Sequence, residues 1–195
     1  MSRRAGLDRE GVVAAAAEIA DTEGTGALTL AAVAARVGVR IPSLYNHVAG
    51  LDGLRRDLAL HALRLLTDAL RSAAIGRSGD QAVYAVADAY RAFVKAHPGL
   101  YESIQRVPLT TDPDIQAPSR APVEVALAAL ASYGLSGGDA IHAVRALRSA
   151  IHGFVTLEMT GGFGLPVSLD ESFHRLITIF IRGLRPASAD GDAGG

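Results

Sequence analysis

The chain has 195 residues, with 19 Lys plus Arg against 20 Asp plus Glu and no Cys. That length suits one compact domain or a small module on a medium one, and an apolar fraction of 49% excludes a disordered chain. The net charge of -1 excludes a wholesale polyanion binder, and the lack of Cys excludes a disulfide framework, a cysteine-type zinc site and thiol catalysis. Alanine is the commonest residue and sustained strand-like alternation is missing. The composition therefore predicts an all-α fold. No apolar run approaches the roughly 18 residues of a membrane span. The stretch VVAAAAEIA is too short for a secretion signal, so the chain reads as cytoplasmic with no membrane partner.

In chain order, breakers divide the sequence into about nine helical segments. The first runs from Asp8, a plausible cap, to Glu23, with Val12, Val13, Ala16, Ile19 and Ala20 on one face and Gly24 and Gly26 as stops. Thr29 caps a second, Leu30 to Val37, closed by Gly38. A third, Ile41 to His47, has Pro42 at its start, where a missing N–H costs nothing. Asp52 opens a long fourth helix to Ala74, and Asp80 to Ala96 is the fifth. Leu100 to Arg106 is a short sixth, and residues 107–122, with four prolines, read as a loop or a frayed helix start. Val123 to Tyr133, Ser136 to Thr160 and Ser168 to Leu184 complete the set, and the tail 186–195 is predicted disordered.

Function is most legible in TLAAVAARVGVRIPSLYNHVAGLDGL, residues 29–54. Two short helices flank a turn at Gly38, a helix-turn-helix arrangement. Once Leu44 and Val48 are packed, the second helix exposes Arg40, Pro42, Ser43, Tyr45, Asn46 and His47. Arg, Asn and His can hydrogen-bond base edges, while Ser and Tyr hydroxyls suit phosphates. The alternative is a polar surface turn in a helical bundle.

This segment resembles the TetR family of bacterial transcriptional regulators, over residues 1–60. The resemblance implies a three-helix DNA-binding head over 1–51, with the helix-turn-helix at 29–48. It also implies a C-terminal helical domain over 52–185 that binds a ligand and forms a homodimer. Thr29, Arg40, Pro42, Ser43, Tyr45, Asn46 and His47 become the DNA-binding candidates. Many members carry a Lys near the start of the fourth helix; here Leu51 stands there, so a phosphate contact falls to backbone amides or to Arg55 or Arg56. Residues 1–47 hold five Arg and five acids, so the head would bind by segregation of charge, with Arg3, Arg4, Arg36 and Arg40 at the arm and turn. Arg3 and Arg4 read equally as a minor-groove arm or an ordinary terminus. Residues 145–177 resemble the C-terminal domain of a subgroup with a Trp-His-Gly motif, here Ile151-His152-Gly153.

On the eighth helix, Glu158 falls within the apolar arc of Leu147, Ile151, Phe154, Val155 and Leu157. A carboxylate there either reaches solvent or a neighbouring Arg, or anchors a ligand. Candidate pocket residues are Tyr90, Phe93, Tyr101, Ile104, Phe154, Leu157 and Glu158, which at helical spacing also suit plain core. The ninth helix carries Phe173, Ile177 and Phe180 in a wide apolar stripe that suits a core or a dimer face; the resemblance favours the dimer. No HExxH or i,i+4 His pair points to a metal, and no cofactor motif occurs. The leading reading is a non-enzymatic, homodimeric repressor of double-stranded operator DNA, released by a small hydrophobic effector. The rivals are an all-α enzyme or carrier of a hydrophobic ligand, and a DNA-binding dimer without an effector.

Overall fold

The computed structural model describes residues 7–106 and 113–185, so Arg3, Arg4, residues 107–112 and the tail 186–195 lie outside the described residues. Within that range the chain forms nine α-helices and no strand: α1 (Arg9–Glu23), α2 (Leu30–Val37), α3 (Ile41–Leu44), α4 (Gly50–Ala74), α5 (Gly79–Ala96), α6 (Pro98–Arg106), α7 (Pro113–Leu130), α8 (Gly137–Met159) and α9 (Leu169–Leu184). Single 3-10 turns follow α1 and α7. The helices gather into two compact units. One takes residues 1–69 and 92–122, the other 70–91 and 123–195. The unit that carries the helix-turn-helix thus also takes most of α4, the end of α5, and α6, which a linear boundary after residue 51 does not capture.

The first unit is built around α1. Asp8 is its N-cap, in extended conformation, and its carboxylate accepts from the Gly11 N–H at 2.7 Å. Gly24, at φ 86°, ends it and donates its N–H to the Ala20 carbonyl at 3.1 Å. Val12, Val13, Ala16, Ile19 and Ala20 are buried, and α2 and α6 pack on α1. Its small residues admit a close approach. A Cβ built on Gly99 of α6 would lie 2.0 Å from the Ala20 carbonyl oxygen, so only glycine fits. Asp21 fixes the same end of α6 twice, accepting from the Leu100 N–H at 2.9 Å and bonding His97 Nδ1 at 2.8 Å. The Leu100 N–H is one of the unpaired donors of a helix start, so α1 supplies the cap that α6 lacks in its own sequence. Thr25 adds a bond from its hydroxyl to Glu102 at 2.7 Å.

Residues 113–122, expected as a loop or frayed start, form the first turns of α7 with Pro118 and Pro122 inside the helix. Each of these prolines removes one i→i−4 bond from the helix, opposite the exposed Asp114 and the half-buried Pro118. Ile115, 1% exposed, anchors this turn in the core.

The second unit is organised by α8 and α9. Ser168 caps α9 by accepting from the Glu171 N–H at 3.2 Å. Ile151, Val155, Phe173, Ile177 and Ile181 are almost fully buried. Phe173 and Ile177, each 1% exposed, therefore belong to this chain's own core and do not lie on an open dimer face. The wide stripe of α9 is filled within the unit, while Phe180 is half-buried and Ile179 is 68% exposed. Leu157 is 47% exposed, so it leaves the arc in which an ideal wheel puts it beside Phe154.

Glu158 has a partner within the unit. Arg91 donates to both its carboxylate oxygens at 2.7 Å, and a third bond joins Arg91 to Asp170 at 2.8 Å. The Arg91 guanidinium lies over the rings of Phe173 and Phe154, at 4.9 and 5.6 Å. The side chains of Arg91 and Glu158 are only 11% and 9% exposed. The hydrogen bond to Glu158 is the main cause that raises the Arg91 pKa above its ordinary value. Glu158 is thus the counter-ion of a structural arginine, which answers the cost of its place in an apolar arc.

Two outcomes follow from this packing. Gly99→Ala should lower the unfolding free energy by about 1–3 kcal/mol, the usual cost of overpacking, although in an open helix the same change gains about 0.5–1 kcal/mol. Urea unfolding reads the sign. Glu158→Leu alone should cost about 3–5 kcal/mol by leaving a buried cation short of its partner, while Arg91→Met with Glu158→Leu should be near neutral. A single variant as stable as the double would show that the pair is not a buried charge couple.

Candidate nucleic-acid interface

The helix-turn-helix is assembled by local rules. The Thr29 hydroxyl accepts from the Ala32 N–H at 3.1 Å and so starts α2. Gly38 ends it in the left-handed region, at φ 72°, and the Val39 N–H returns to the Ala34 carbonyl at 3.0 Å. This reversal aims the chain into α3. Pro42 sits in the first turn of α3, and Leu44 points inward at 0% exposure, with Val33 at 0% and Val48 at 5% in the same core. Each such burial contributes about 1.5–3 kcal/mol.

The α-helical part of this segment is shorter than the expected Ile41 to His47. It stops at Leu44 and continues as turns, with His47 N–H to the Leu44 carbonyl at 2.8 Å and Val48 N–H to the same carbonyl at 3.0 Å. With one carbonyl satisfying two donors, the segment tightens before Gly50, which adopts φ 71° and opens α4. Arg40, Pro42, Tyr45 and Asn46 are exposed, Ser43 and His47 are half-buried, and Thr29 is exposed beside its cap. The structure brings Arg40 to His47 together on one short segment, with Thr29 at the start of the preceding helix. Ile41, 40% exposed, was missed by reading polarity alone. The i, i+4 spacing from Ile41 to the outward-facing Tyr45 is the signal that puts it on the open side, where an apolar group can meet a thymine methyl.

The charges are arranged differently from the expected segregation. Arg36 turns back to α1 and pairs with Glu18 at 3.2 Å and Glu23 at 2.7 Å. Arg55 pairs with Asp52 at 3.4 Å, and Arg56 with Asp114 at 2.8 Å. Arg40 remains on the exposed side of the turn. Arg9, not singled out in the sequence, forms a two-pronged pair with the buried Asp57 of α4, and that hydrogen bond raises the Arg9 pKa above its ordinary value. Burial first, and the neighbouring Arg64 second, push the His61 ring below the ordinary histidine value. Both causes favour the uncharged form of the ring.

The expected ligand residues divide between the units. Phe93, Tyr101 and Ile104 are buried in the first, while Tyr90 and Phe154 are buried in the second together with the paired Glu158. Phe154 stacks at a tilt on Phe163 and Phe173, at 4.8 and 5.1 Å between ring centres. Among the described residues, no group of His, Asp and Glu could hold a metal, and no helix is long and apolar enough to cross a membrane.

Residues 83–180 match the family model described as the Tetracyclin repressor-like, C-terminal domain. Over its length the chain is 41% identical to Rv0681, a helix-turn-helix-type transcriptional regulator of Mycobacterium tuberculosis, covering 98% of this chain and 88% of that one. It is 37% identical to YobS, a regulator of the same type from Bacillus subtilis, covering 94% and 96%. A protein of unknown function from Rhodococcus sp. RHA1 has a similar fold, at TM-score 0.80 and 23% identity over 95% of this chain and all of that one. So does a TetR variant from Acinetobacter baumannii solved with minocycline, at TM-score 0.68 and 23% identity over 93% and 99%. The exposed helix-turn-helix at one end of the sequence and the matched repressor-like domain at the other agree with these full-length relatives: the chain belongs to the TetR family and is a DNA-binding transcriptional regulator.

Proposed function

We propose that the chain is a homodimeric repressor that acts in the cytoplasm on a near-palindromic operator and leaves it when a small apolar effector binds. The observation that carries the DNA part is the outward row of Arg40, Ile41, Pro42, Tyr45 and Asn46 on a segment pinned by buried Leu44. A segment of this size fits the major groove, and two copies would read half-sites about 34–36 Å apart or a modest excess over it. Thr29 and Ser43 hydroxyls and His47 supply hydrogen bonds at its margins. The dimer reading is supported by the exposed Ile179 and the half-buried Leu176 and Phe180 on α9, an apolar strip that the chain's own core leaves partly open.

The effector reading is supported by the repressor-like C-terminal match and by the minocycline-bound relative in fold. Phe93, Tyr101 and Ile104 remain ligand candidates within the first unit, and Tyr90 and Phe154 within the second; Leu157 and Glu158 are less suited, one being exposed and the other bound to Arg91. The internal pairing of Glu158 favours, as a second reading, a dimer that binds DNA without an effector. Any effector would act by differential affinity for two dimer arrangements.

Selection of genomic fragments with purified protein should return a near-palindrome. Tyr45→Ala or Asn46→Ala should then weaken binding by about 1–3 kcal/mol in anisotropy titrations while leaving the unfolding midpoint unchanged. Equal binding by both variants would remove this segment as the reader. Sedimentation at micromolar concentration should give a dimer, and Ile179→Glu should give monomers; a monomeric wild type refutes the assembly. Release of the labelled operator in a screen of apolar compounds separates the effector reading from the constitutive one.

A further inference from the structure

Beside the reading turn, within the same compact unit, lies a notch of about 380 Å³ whose walls include Arg9, Tyr45, Asn46, His47, Arg56 and Asp57. Arg9 opens α1, and Asp57 lies on α4 at 5% exposure. The Arg9 Nε donates to one carboxylate oxygen of Asp57 at 2.8 Å, and Nη2 donates to the other. A two-pronged bond of this kind fixes the plane of the guanidinium. The acid side chain is 7% exposed and the arginine side chain 61%. The carboxylate is therefore behind, and the cation is what the notch presents.

We propose that this notch seats a backbone phosphate of the operator, and that Arg9, aimed by Asp57, is its charged ligand. The inference rests on the reading of α3 as the element that enters the major groove. A segment lodged in a groove about 12 Å wide has a phosphate backbone on each side. Tyr45 and His47, at the end of that segment, share the notch with Arg9, and Tyr, His and Arg are ordinary phosphate ligands. The arginines nearest the start of α4 are already engaged, Arg55 with Asp52 and Arg56 with Asp114. Arg9 is engaged as well, but its pairing leaves Nη1 without a partner among the described residues, on a side chain held in one plane. Because the pair is neutral as a whole, it binds the phosphate by direction and short-range hydrogen bonding.

The test uses the full chain and its selected operator, with affinity measured across a salt series. Arg9→Ala should weaken binding about tenfold, as for loss of a charge-assisted bond. The slope of log K against log salt should fall by less than the about 0.9 of a lone cation's phosphate contact, because the pair is neutral as a whole. Since Arg9→Ala strands a buried carboxylate, the companion variant is Arg9→Met with Asp57→Leu, which removes both charges and keeps the packing. It should unfold like the wild type and show the loss of affinity with the salt slope unchanged, since a neutral pair is replaced by a neutral pair. Asp57→Asn should also weaken binding, although it removes a negative charge from the neighbourhood of DNA. Wild-type affinity in the double variant, or tighter binding by Asp57→Asn, overturns the proposal and leaves the DNA reading intact if Tyr45→Ala still fails. A wild-type chain that selects no DNA overturns both.

Discussion

The α3 segment cannot hold its own shape, and the first compact unit is arranged around that constraint. A helix of four residues has no stability in water, where even helices of a dozen residues are marginal. What orders α3 is the burial of one side chain, Leu44, at 0% exposure in a core that also holds Val33 and Val48. With Leu44 inside, the helical period decides which neighbours face outward: Ile41 and Tyr45 lie an i, i+4 step apart on the open side. The left-handed Gly38 brings α3 back onto α2, and α1, on which α2 packs, is the wall of this unit. That wall is in turn fixed by the contact of Ala20 with Gly99 and by the two bonds from Asp21 to α6. Interface geometry therefore depends on residues with no contact to the interface.

Features governed by neighbours in sequence were legible. Asp8 and Thr29 cap because a short polar side chain can reach an N–H three residues on, and Gly24 and Gly38 stop helices because their positive φ suits no other residue as well. The failures have equally local causes. Proline density made residues 107–122 read as a loop or a frayed helix start, but from Pro113 on they are helical around the buried Ile115. The end of the third helix was set too late because polarity says nothing about where a carbonyl accepts twice.

Partners across the sequence were not legible at all. Glu158 and Arg91 are 67 positions apart, and Arg9 and Asp57 are 48 apart. Nothing in composition or period announces which arginine will neutralise which acid. The stripe on α9 shows a related limit. An apolar face is the same pattern whether its own chain or a second copy covers it, and burial alone shows that Phe173 and Ile177 are covered from within. The candidate site was thus readable as an element and a set of exposed side chains, but not as an electrostatic object.

The charge distribution bears on how such a head discriminates. Residues 1–47 hold as many acids as arginines. Arg36 is bound to Glu18 and Glu23, and beyond that stretch Arg55 and Arg56 also have acid partners. Non-specific affinity for DNA is almost wholly electrostatic and grows with the number of phosphates neutralised. A head whose described arginines are mostly engaged gains little through them from a random sequence. In the proposed reading, base-edge hydrogen bonds from Arg40 and Asn46, and an apolar contact from Ile41, would be available only where the sequence fits. Since the useful quantity in a genome is the ratio of specific to non-specific binding, holding the arginines in internal pairs raises that ratio by lowering its denominator. Near-neutral charge, which at first argues against a nucleic-acid partner, is in this arrangement a route to selectivity.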